Sequence, residues 1–283
     1  SKSADHQIIM NNANVTFKDR SGIIWVGSKG YGLVKINPRT EKFNELNIPS
    51  VLWMAALNNN SFLSLYQSEI FRLNRPADKK FVVDTMLKSI YRLIHSRNAD
   101  AVVQSSDGGF YVNASGIYYV SPDITSYKLI SAERGCFPLY VDRYDNLWYG
   151  NNHSFCKYDA ATGVISSYNY PVRNMVLSPY KFLEIIYEDG DEFWLGTVNG
   201  LLNWNRKTLK WKHYSRNSGA DKSLSADVVF TVCNDAKYPN HFLWVGTNGG
   251  GLNCLNKKTG IVRKYSLKEG LPNTVVYGVL SDQ

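Results

Sequence analysis

No apolar run in the 283 residues approaches the roughly 20 that cross a bilayer. Four cysteines, none in a CxxC pair, are too few for a disulfide-held scaffold. The five histidines, His6, His95, His153, His213 and His241, show no metal-ligand spacing. No GxSxG, HExxH or phosphate-loop signature occurs, and "TNGGG" after Trp244 precedes no helix, so it is not a phosphate cradle. Lysine and arginine exceed aspartate and glutamate by 32 to 24, for a net charge of +8, yet no basic run masses them. Nucleic acid is therefore not an expected partner. The start, "SKSADHQIIMNN", lacks the cationic and apolar regions of a secretory leader, and a mature or excised segment reads the same way. The expectation is no catalytic residue, no metal site, no cofactor and no membrane contact by this segment.

What is present is a repeat. Residues 230–265, "FTVCNDAKYPNHFLWVGTNGGGLNCLNKKTGIVRKY", form its clearest copy. An apolar run leads to an acidic turn, then an aromatic and a small residue, a Gly/Asn turn, a short apolar run ending in Asn or Asp, and a last aromatic run. Residues 15–46, 139–168 and 185–214 repeat the pattern, anchored by Trp25, Trp148, Trp194 and Trp244. The last two tryptophan intervals are 46 and 50 residues, and the first spans 123. That first gap accommodates two worn copies, at residues 62–74 and 110–121. A period of 40 to 50 residues built of four short strands is the signature of a β-propeller blade. The fold expected is all-β: one propeller domain over residues 1–283, with six complete four-stranded blades and the first strand of a seventh. Copy one predicts strands near 14–18, 23–27, 32–36 and 42–46. Residues 85–98 are longer than a usual connection and read as a helical turn or an extra strand. Asn273–Asp282, "NTVVYGVLSD", alternates as the first, innermost strand of blade seven.

A single blade has two apolar faces and cannot bury both; stacked blades do so collectively. The tryptophans read as filling between blades, not as ligand platforms. Asp19, Asp142, Asp145, Asp189 and Asp235 read as turn formers accepting from backbone amides. Cys136 with Cys156, and Cys233 with Cys254, fall on the first and third strands of copies four and six. An intervening strand puts each pair about 9.6 Å apart, beyond the roughly 7 Å Cα separation of a disulfide. All four read as small core residues.

Several phrases carry a family resemblance: "EGLPNTVVYGVLSD", "FLWVGTNGGGLNCLNKKTGIVRKY", "GIIWVGSKGYGLVKINPRTEKF" and "DNLWYGNNHSFCKYDAATG". They resemble the two-component regulator propeller repeat, in which a GLP or SLS segment leads to a strand, an acidic turn, an aromatic-x-Gly-Thr unit and a Gly-Leu unit. "GLPNTVV" and "SLSADVV" supply the first element; "WLGT" and "WVGT" supply the aromatic unit. Copies two and three lack the Gly-Thr unit. The resemblance implies the periplasmic sensor region of a hybrid two-component system of Bacteroidetes-type bacteria. Such regions detect glycan breakdown products and switch on polysaccharide-utilisation genes. Full-length relatives add an immunoglobulin-like domain, a transmembrane helix, a histidine kinase and a DNA-binding output, none of which occurs in this sequence. A homodimer formed through the parent sensor is also implied.

Ligand candidates lie on the rim where the turns between second and third strands meet the connections between blades. They are Lys29, Tyr31, Tyr66, Asn113, Asn151, Asn152, His153, Arg173, Asn199 and Asn248, with Gln67, Arg134 and Arg216 nearby. Amide, cationic and tyrosine groups suit the hydroxyls or carboxylates of an oligosaccharide, neutral or acidic. Hairpin geometry alone would also favour Asn there. Two other functions stay open: an assembly propeller without a small ligand, and a carbohydrate-active enzyme. The latter needs an acid and base pair on one rim, which the sequence does not identify.

Overall fold

The computed structural model describes the strand residues between 13 and 84, then 101–123, 125–151, 153–171, 183–219 and 221–279. Side chains are described from residue 101 onward. The chain divides into two compact units: Ser1–Arg134 with Arg143–Asp145, and Gly135–Asp142 with Asn146–Gln283.

The first unit holds three four-stranded antiparallel sheets. They are β1–β4 (Ala13–Lys18, Ile24–Ser28, Gly32–Asn37, Lys42–Leu46), β5–β8 (Trp53–Asn58, Ser61–Tyr66, Glu69–Asn74, Val82–Asp84) and β9–β12 (Ala101–Gln104, Phe110–Asn113, Ile117–Val120, Tyr127–Ser131). Each sheet runs in sequence order, so every connection within it is a hairpin. The four strands expected for copy one lie within a residue of β1–β4. First strands of consecutive sheets lie against each other, β1 on β5 and β5 on β9. The third sheet hides its middle: Phe110, Tyr111, Val112 and Asn113 are all buried.

The second unit holds three more sheets. They are β13–β16 (Leu139–Val141, Leu147–Gly150, Ser154–Tyr158, Ile165–Asn169), β17–β20 (Leu183–Asp189, Glu192–Thr197, Gly200–Asn205, Trp211–Tyr214) and β21–β24 (Val229–Asn234, Phe242–Thr247, Gly251–Asn256, Val262–Tyr265). Helix is confined, among the described residues, to one 3₁₀ turn at Leu267–Glu269. Residues 85–98 lie outside the described residues. Asn273–Asp282 is a correction: its described part, through residue 279, is irregular and belongs to no sheet.

Strand register explains the repeat. Each anchor tryptophan sits at one place in its sheet, opposite Phe17, Tyr140, Tyr187 or Cys233 of the first strand. Because strand side chains alternate, every sheet offers one face forward and one back. The forward face of β13–β16 and the rear face of β17–β20 share a core of Trp148, Phe155, Phe193, Leu195, Leu202 and Trp204. Trp148 and Phe193 ring centroids are 4.6 Å apart. The forward face of β17–β20 presents Trp194, Leu201 and Tyr214 to Val232, Leu243, Val245 and Leu255 of β21–β24. Trp148 and Trp194 are each only 2% exposed, as the packing role requires.

A polar latch reinforces each of the two joints within the second unit. Arg206, in the turn after β19, donates to Asp142 Oδ2 at 3.2 Å and to Glu188. One turn later in the repeat, Lys257 after β23 donates to Asp189, and to Asn234 Oδ1 at 2.6 Å. Asp142 and Asp235 accept from the tryptophan indoles of their own sheets, Trp148 Nε1 at 2.8 Å and Trp244 Nε1 at 2.9 Å. They also accept backbone amides, as expected of turn formers. Asp145 instead accepts from Ser105 Oγ and Ser106 N within the first unit. The four cysteines are free. Cys136 and Cys156 are buried, but Cys136 precedes β13 instead of lying on it. Cys233 and Cys254 are only half-buried, a correction to their placement in the core.

Candidate functional site

The loop end of the second unit is built from the Gly-Thr units and the segments that lead into each sheet. Thr197 Oγ1 donates to Gly200 O at 2.8 Å, and Thr247 Oγ1 to Gly251 O at 2.8 Å. Each threonine thereby closes the hairpin that follows it. The glycine before each threonine lets the next segment approach: a Cβ on Gly196 would stand 2.9 Å from Val229 O, and one on Gly246 2.8 Å from Val276 O. The "SLS" segment is pinned from both sides. Leu224 is buried in the sheet joint. Ser225 N donates to Asn253 Oδ1 at 2.9 Å, and Asn253 Nδ2 returns a bond to Ser225 Oγ at 2.9 Å. These contacts hold the connection 215–228 across the turns.

The sequence candidates separate on this frame. Asn151 is buried, and its Oδ1 accepts from His153 N at 2.8 Å and Ser154 N at 2.6 Å. It forms a hairpin, so its amide oxygen is not offered to a ligand. Asn113, in the first unit, is 2% exposed, which removes it from the open surface as well. His153 and Asn248 are exposed and Asn199 is half-buried. Arg216 and Arg134 are exposed; Arg134 belongs to the first unit. Tyr66 ends β6 instead of occupying the turn, and its side chain is outside the described residues. Lys29, Tyr31, Gln67, Asn152 and Arg173 lie outside them altogether.

One residue at this end was missed. His213 on β20 reaches Asn199 O with Nε2 at 2.8 Å, which joins an imidazole to the β18–β19 turn. No pattern in the sequence marks it, since the residues at the same place before Tyr168 and Tyr265, Ser167 and Lys264, meet Cys156 and Ser223 instead. Among the described residues no group of His, Cys, Asp and Glu could hold a metal ion.

A second concavity lies on the forward face of β21–β24. It has a volume of about 470 Å³ and is lined by Asp235, Phe242, Trp244, Cys254, Arg263 and Tyr265, among others. Burial raises the Cys254 thiol pKa above its ordinary value. The Trp244 indole, bonded to Asp235, holds that carboxyl below its ordinary value.

No model of a known protein family matches the chain. A curated relative, histidine kinase P4 of Formosa agariphila, is 24% identical over 272 residues, covering 82% of this chain and 19% of that protein. Among solved structures, the S. aureus virginiamycin B lyase superposes with a TM-score of 0.65 at 13% identity, covering 90% of this chain and 84% of the lyase. The extracellular domain of the hybrid two component system BT4673 from B. thetaiotaomicron superposes with a TM-score of 0.69 at 16% identity over 96% of this chain. No helix among the described residues is long and apolar enough to cross a membrane. The chain thus spans about a fifth of the curated relative and 36% of the BT4673 domain, and it is similar in fold, over nearly its whole length, to that extracellular domain of a two component system.

Proposed function

We propose that this chain is the ligand-reading part of an extracytoplasmic two-component sensor, located in the periplasm as part of a membrane-anchored protein. Its six four-stranded sheets are read as propeller blades, with residues from Asn273 opening a seventh. The ligand is an oligosaccharide, and its arrival controls polysaccharide-utilisation genes through the parent protein. The observation that carries the reading is the likeness in fold of 96% of this chain to the extracellular domain of BT4673, joined to the resemblance of its repeat phrases to the two-component regulator propeller repeat. In the second unit the ligand meets His153, Asn199, Asn248 and Arg216, exposed or half-buried groups on segments held by Asn151, Thr197, Thr247 and Asp227 respectively. Such groups donate and accept hydrogen bonds to sugar hydroxyls without disturbing the core.

The test is calorimetric titration of the chain with a panel of neutral and acidic oligosaccharides. A member of the panel binds, and the double substitution His153→Ala with Arg216→Ala weakens it about tenfold while Tm stays within about a degree. No binding across the panel, or unchanged affinity in the double variant, overturns this site. The virginiamycin B lyase shares the fold, so release of new product from a bound glycan would move the reading to an enzyme.

A further inference from the structure

Asparagine followed by glycine is a labile pair in any chain. The glycine amide nitrogen can attack the asparagine side-chain carbonyl, and glycine, with no Cβ, puts the least bulk in its path. Two such pairs occur here, Asn199–Gly200 and Asn248–Gly249. They lie in corresponding turns of neighbouring sheets, β18–β19 and β22–β23. The first turn holds two residues between its closing pair, Thr197 and Gly200. The second holds three between Thr247 and Gly251, and the extra residue gives it slack that the first lacks.

The structure treats the two pairs in opposite ways. Gly200 is buried, and its N donates to Asp227 O at 2.6 Å. Asn199 is held on both sides: its N donates to Thr197 Oγ1 at 3.0 Å, and its O accepts from His213 Nε2 at 2.8 Å. Its Nδ2 is buried. Attack requires the Gly200 N–H to give up its proton and the peptide plane to turn toward Asn199 Cγ. A buried, hydrogen-bonded amide does neither unless the structure opens locally. Asn248 and Gly249 are both exposed. Asn248 N donates to Val228 O at 2.9 Å, which anchors the pair on one side only. Among the described residues, neither the Asn248 side chain nor Gly249 N has a hydrogen-bond partner. A Cβ on Gly249 would meet nothing within 4 Å, so this peptide has room to turn.

We propose that Asn248 is a site of spontaneous deamidation in the folded protein, and that the fold protects Asn199 from the same reaction. The Gly249 N–H gives its proton to hydroxide, the nitrogen attacks Asn248 Cγ, and the new N–C bond closes a succinimide ring. The Cγ–Nδ2 bond breaks, and the side-chain nitrogen leaves as ammonia with a proton from solvent. Water then opens the ring. Addition at Cγ leaves aspartate; addition at the main-chain carbonyl carbon leaves isoaspartate, with the backbone routed through Cβ and Cγ. Either way one water is taken up, one ammonia is released, and nothing is oxidised or reduced. Each event puts a carboxylate where the turn carries a neutral amide. The isoaspartate form also lengthens the main chain by one atom just ahead of Gly250. That glycine already closes on the 215–228 connection, since a Cβ on it would stand 2.5 Å from Ser225 Oγ. The added atom therefore shifts the turn against the connection. An effect on sugar binding would rest on the ligand reading of Asn248; the reaction itself does not.

The test ages the purified 1–283 chain at mildly alkaline pH, folded in buffer and unfolded in urea. Peptides are released at acid pH, mapped by mass spectrometry, and assayed for isoaspartate with an isoaspartyl methyltransferase. In the folded chain Asn248 converts at least about tenfold faster than Asn199, and faster as pH rises, because the attacking group is the deprotonated amide. In urea the two rates come within about threefold of each other, as Asn199 loses its protection. Asn248→Gln, which must close a larger ring, removes the fast product and leaves the Asn199 rate unchanged. It is preferred to Gly249→Ala because Gly249 has a φ of 81°, where alanine would strain the turn. Equal rates at the two sites in the folded chain overturn the proposal. So does an Asn248 that stays intact there while the unfolded chain converts, or a tenfold difference that persists in urea, which would assign it to local sequence. A chain that binds no oligosaccharide shows the same rates, so failure of the ligand reading leaves this one standing.

Discussion

Gly196 and Gly246 occupy the same place in neighbouring sheets, and their substitution by alanine separates a covered joint from an open one. A Cβ on Gly196 would lie 2.7 Å from Ile185 Cγ2, 2.9 Å from Val229 O and 3.0 Å from Val229 Cγ1. A Cβ on Gly246 meets the equivalent set: Thr231 Cγ2 at 2.5 Å, with Val276 Cγ1 and O both at 2.8 Å. Clashes within the sheet are thus alike, and what differs is whether the other partner can move. Val229 is fully buried within a paired strand, whereas Val276 is half-buried on a segment outside any sheet, tied by its N to Thr247 O at 3.0 Å and beside exposed Tyr277. Overpacking a closed joint costs about 1–3 kcal/mol. Neither glycine has a positive φ, so alanine also removes freedom from the unfolded chain and returns about 0.4–1 kcal/mol. Gly196→Ala should therefore destabilise by about 1–2 kcal/mol. At about 2–4 °C per kcal/mol for a protein of this size, its Tm falls by roughly 2–8 °C. Gly246→Ala should change Tm by less than about 2 °C, because Val276 gives way. Calorimetry of both variants in the 1–283 chain decides the matter. Equal losses would refute the reasoning, since they would mean that Val276 is held as firmly as Val229.

Two further outcomes follow from the latches. Arg206→Ala leaves Asp142 and Glu188, whose side chains are 0% and 7% exposed, buried without their cation, a loss of about 3–5 kcal/mol; Arg206→Lys should lose less, as Lys257 serves the next joint, and urea unfolding of both variants measures the difference. Asp235 has its folded pKa depressed, chiefly by the Trp244 indole, so its contribution is present above the ordinary value of 3.8 and is lost as pH falls through the lower folded value. Trp244 fluorescence and stability followed from about pH 5 to about pH 2 should show an acid transition that Asp235→Asn lacks.

The strands were legible because the repeat supplies period, turn chemistry and alternation together. Even the worn copies, without a Gly-Thr unit, form β5–β8 and β9–β12: their apolar alternation and Asn-rich turns suffice when each sheet needs only four short hairpin-linked strands. Asn273–Asp282 misled because its alternation is that of a strand, but its backbone bonds to the β22–β23 hairpin, Gly251 N to Thr274 O and Val276 N to Thr247 O, do not form a ladder, and no second strand among the described residues pairs with it. The half-burial of Cys233 and Cys254 has the same origin, since a residue on a repeated strand is core only if the next sheet arrives. Which side chains of a turn are exposed was not legible. Asn151 and His153 are two residues apart in one turn, yet the first is buried in the hairpin's own hydrogen bonds and the second is exposed. No spacing rule distinguishes them.

That distinction bears on where ligand choice resides. Groups that recur at the loop end are already committed: Thr197 and Thr247 to the carbonyls of Gly200 and Gly251, Asn253 to Ser225. A ligand cannot recruit them without opening a hairpin, and a hydrogen bond left unmade in a buried site costs about 1–3 kcal/mol. Selectivity must then come from residues that the repeat does not specify. His153 stands where the other two turns of this unit have Asn199 and Gly249–Gly250, and Arg216 lies in a connection whose backbone is fixed by Asp227 through Arg216 N at 2.8 Å. His213 is tied to Asn199 O, so it transmits the position of one turn to the outer strand of the same sheet. The repeat builds a rigid rim, and the departures from the repeat give that rim its chemistry. On the proposed reading, changes at His153 or Arg216 should alter oligosaccharide binding while leaving Tm in place, whereas changes at Thr197 or Asn253 should lower Tm first.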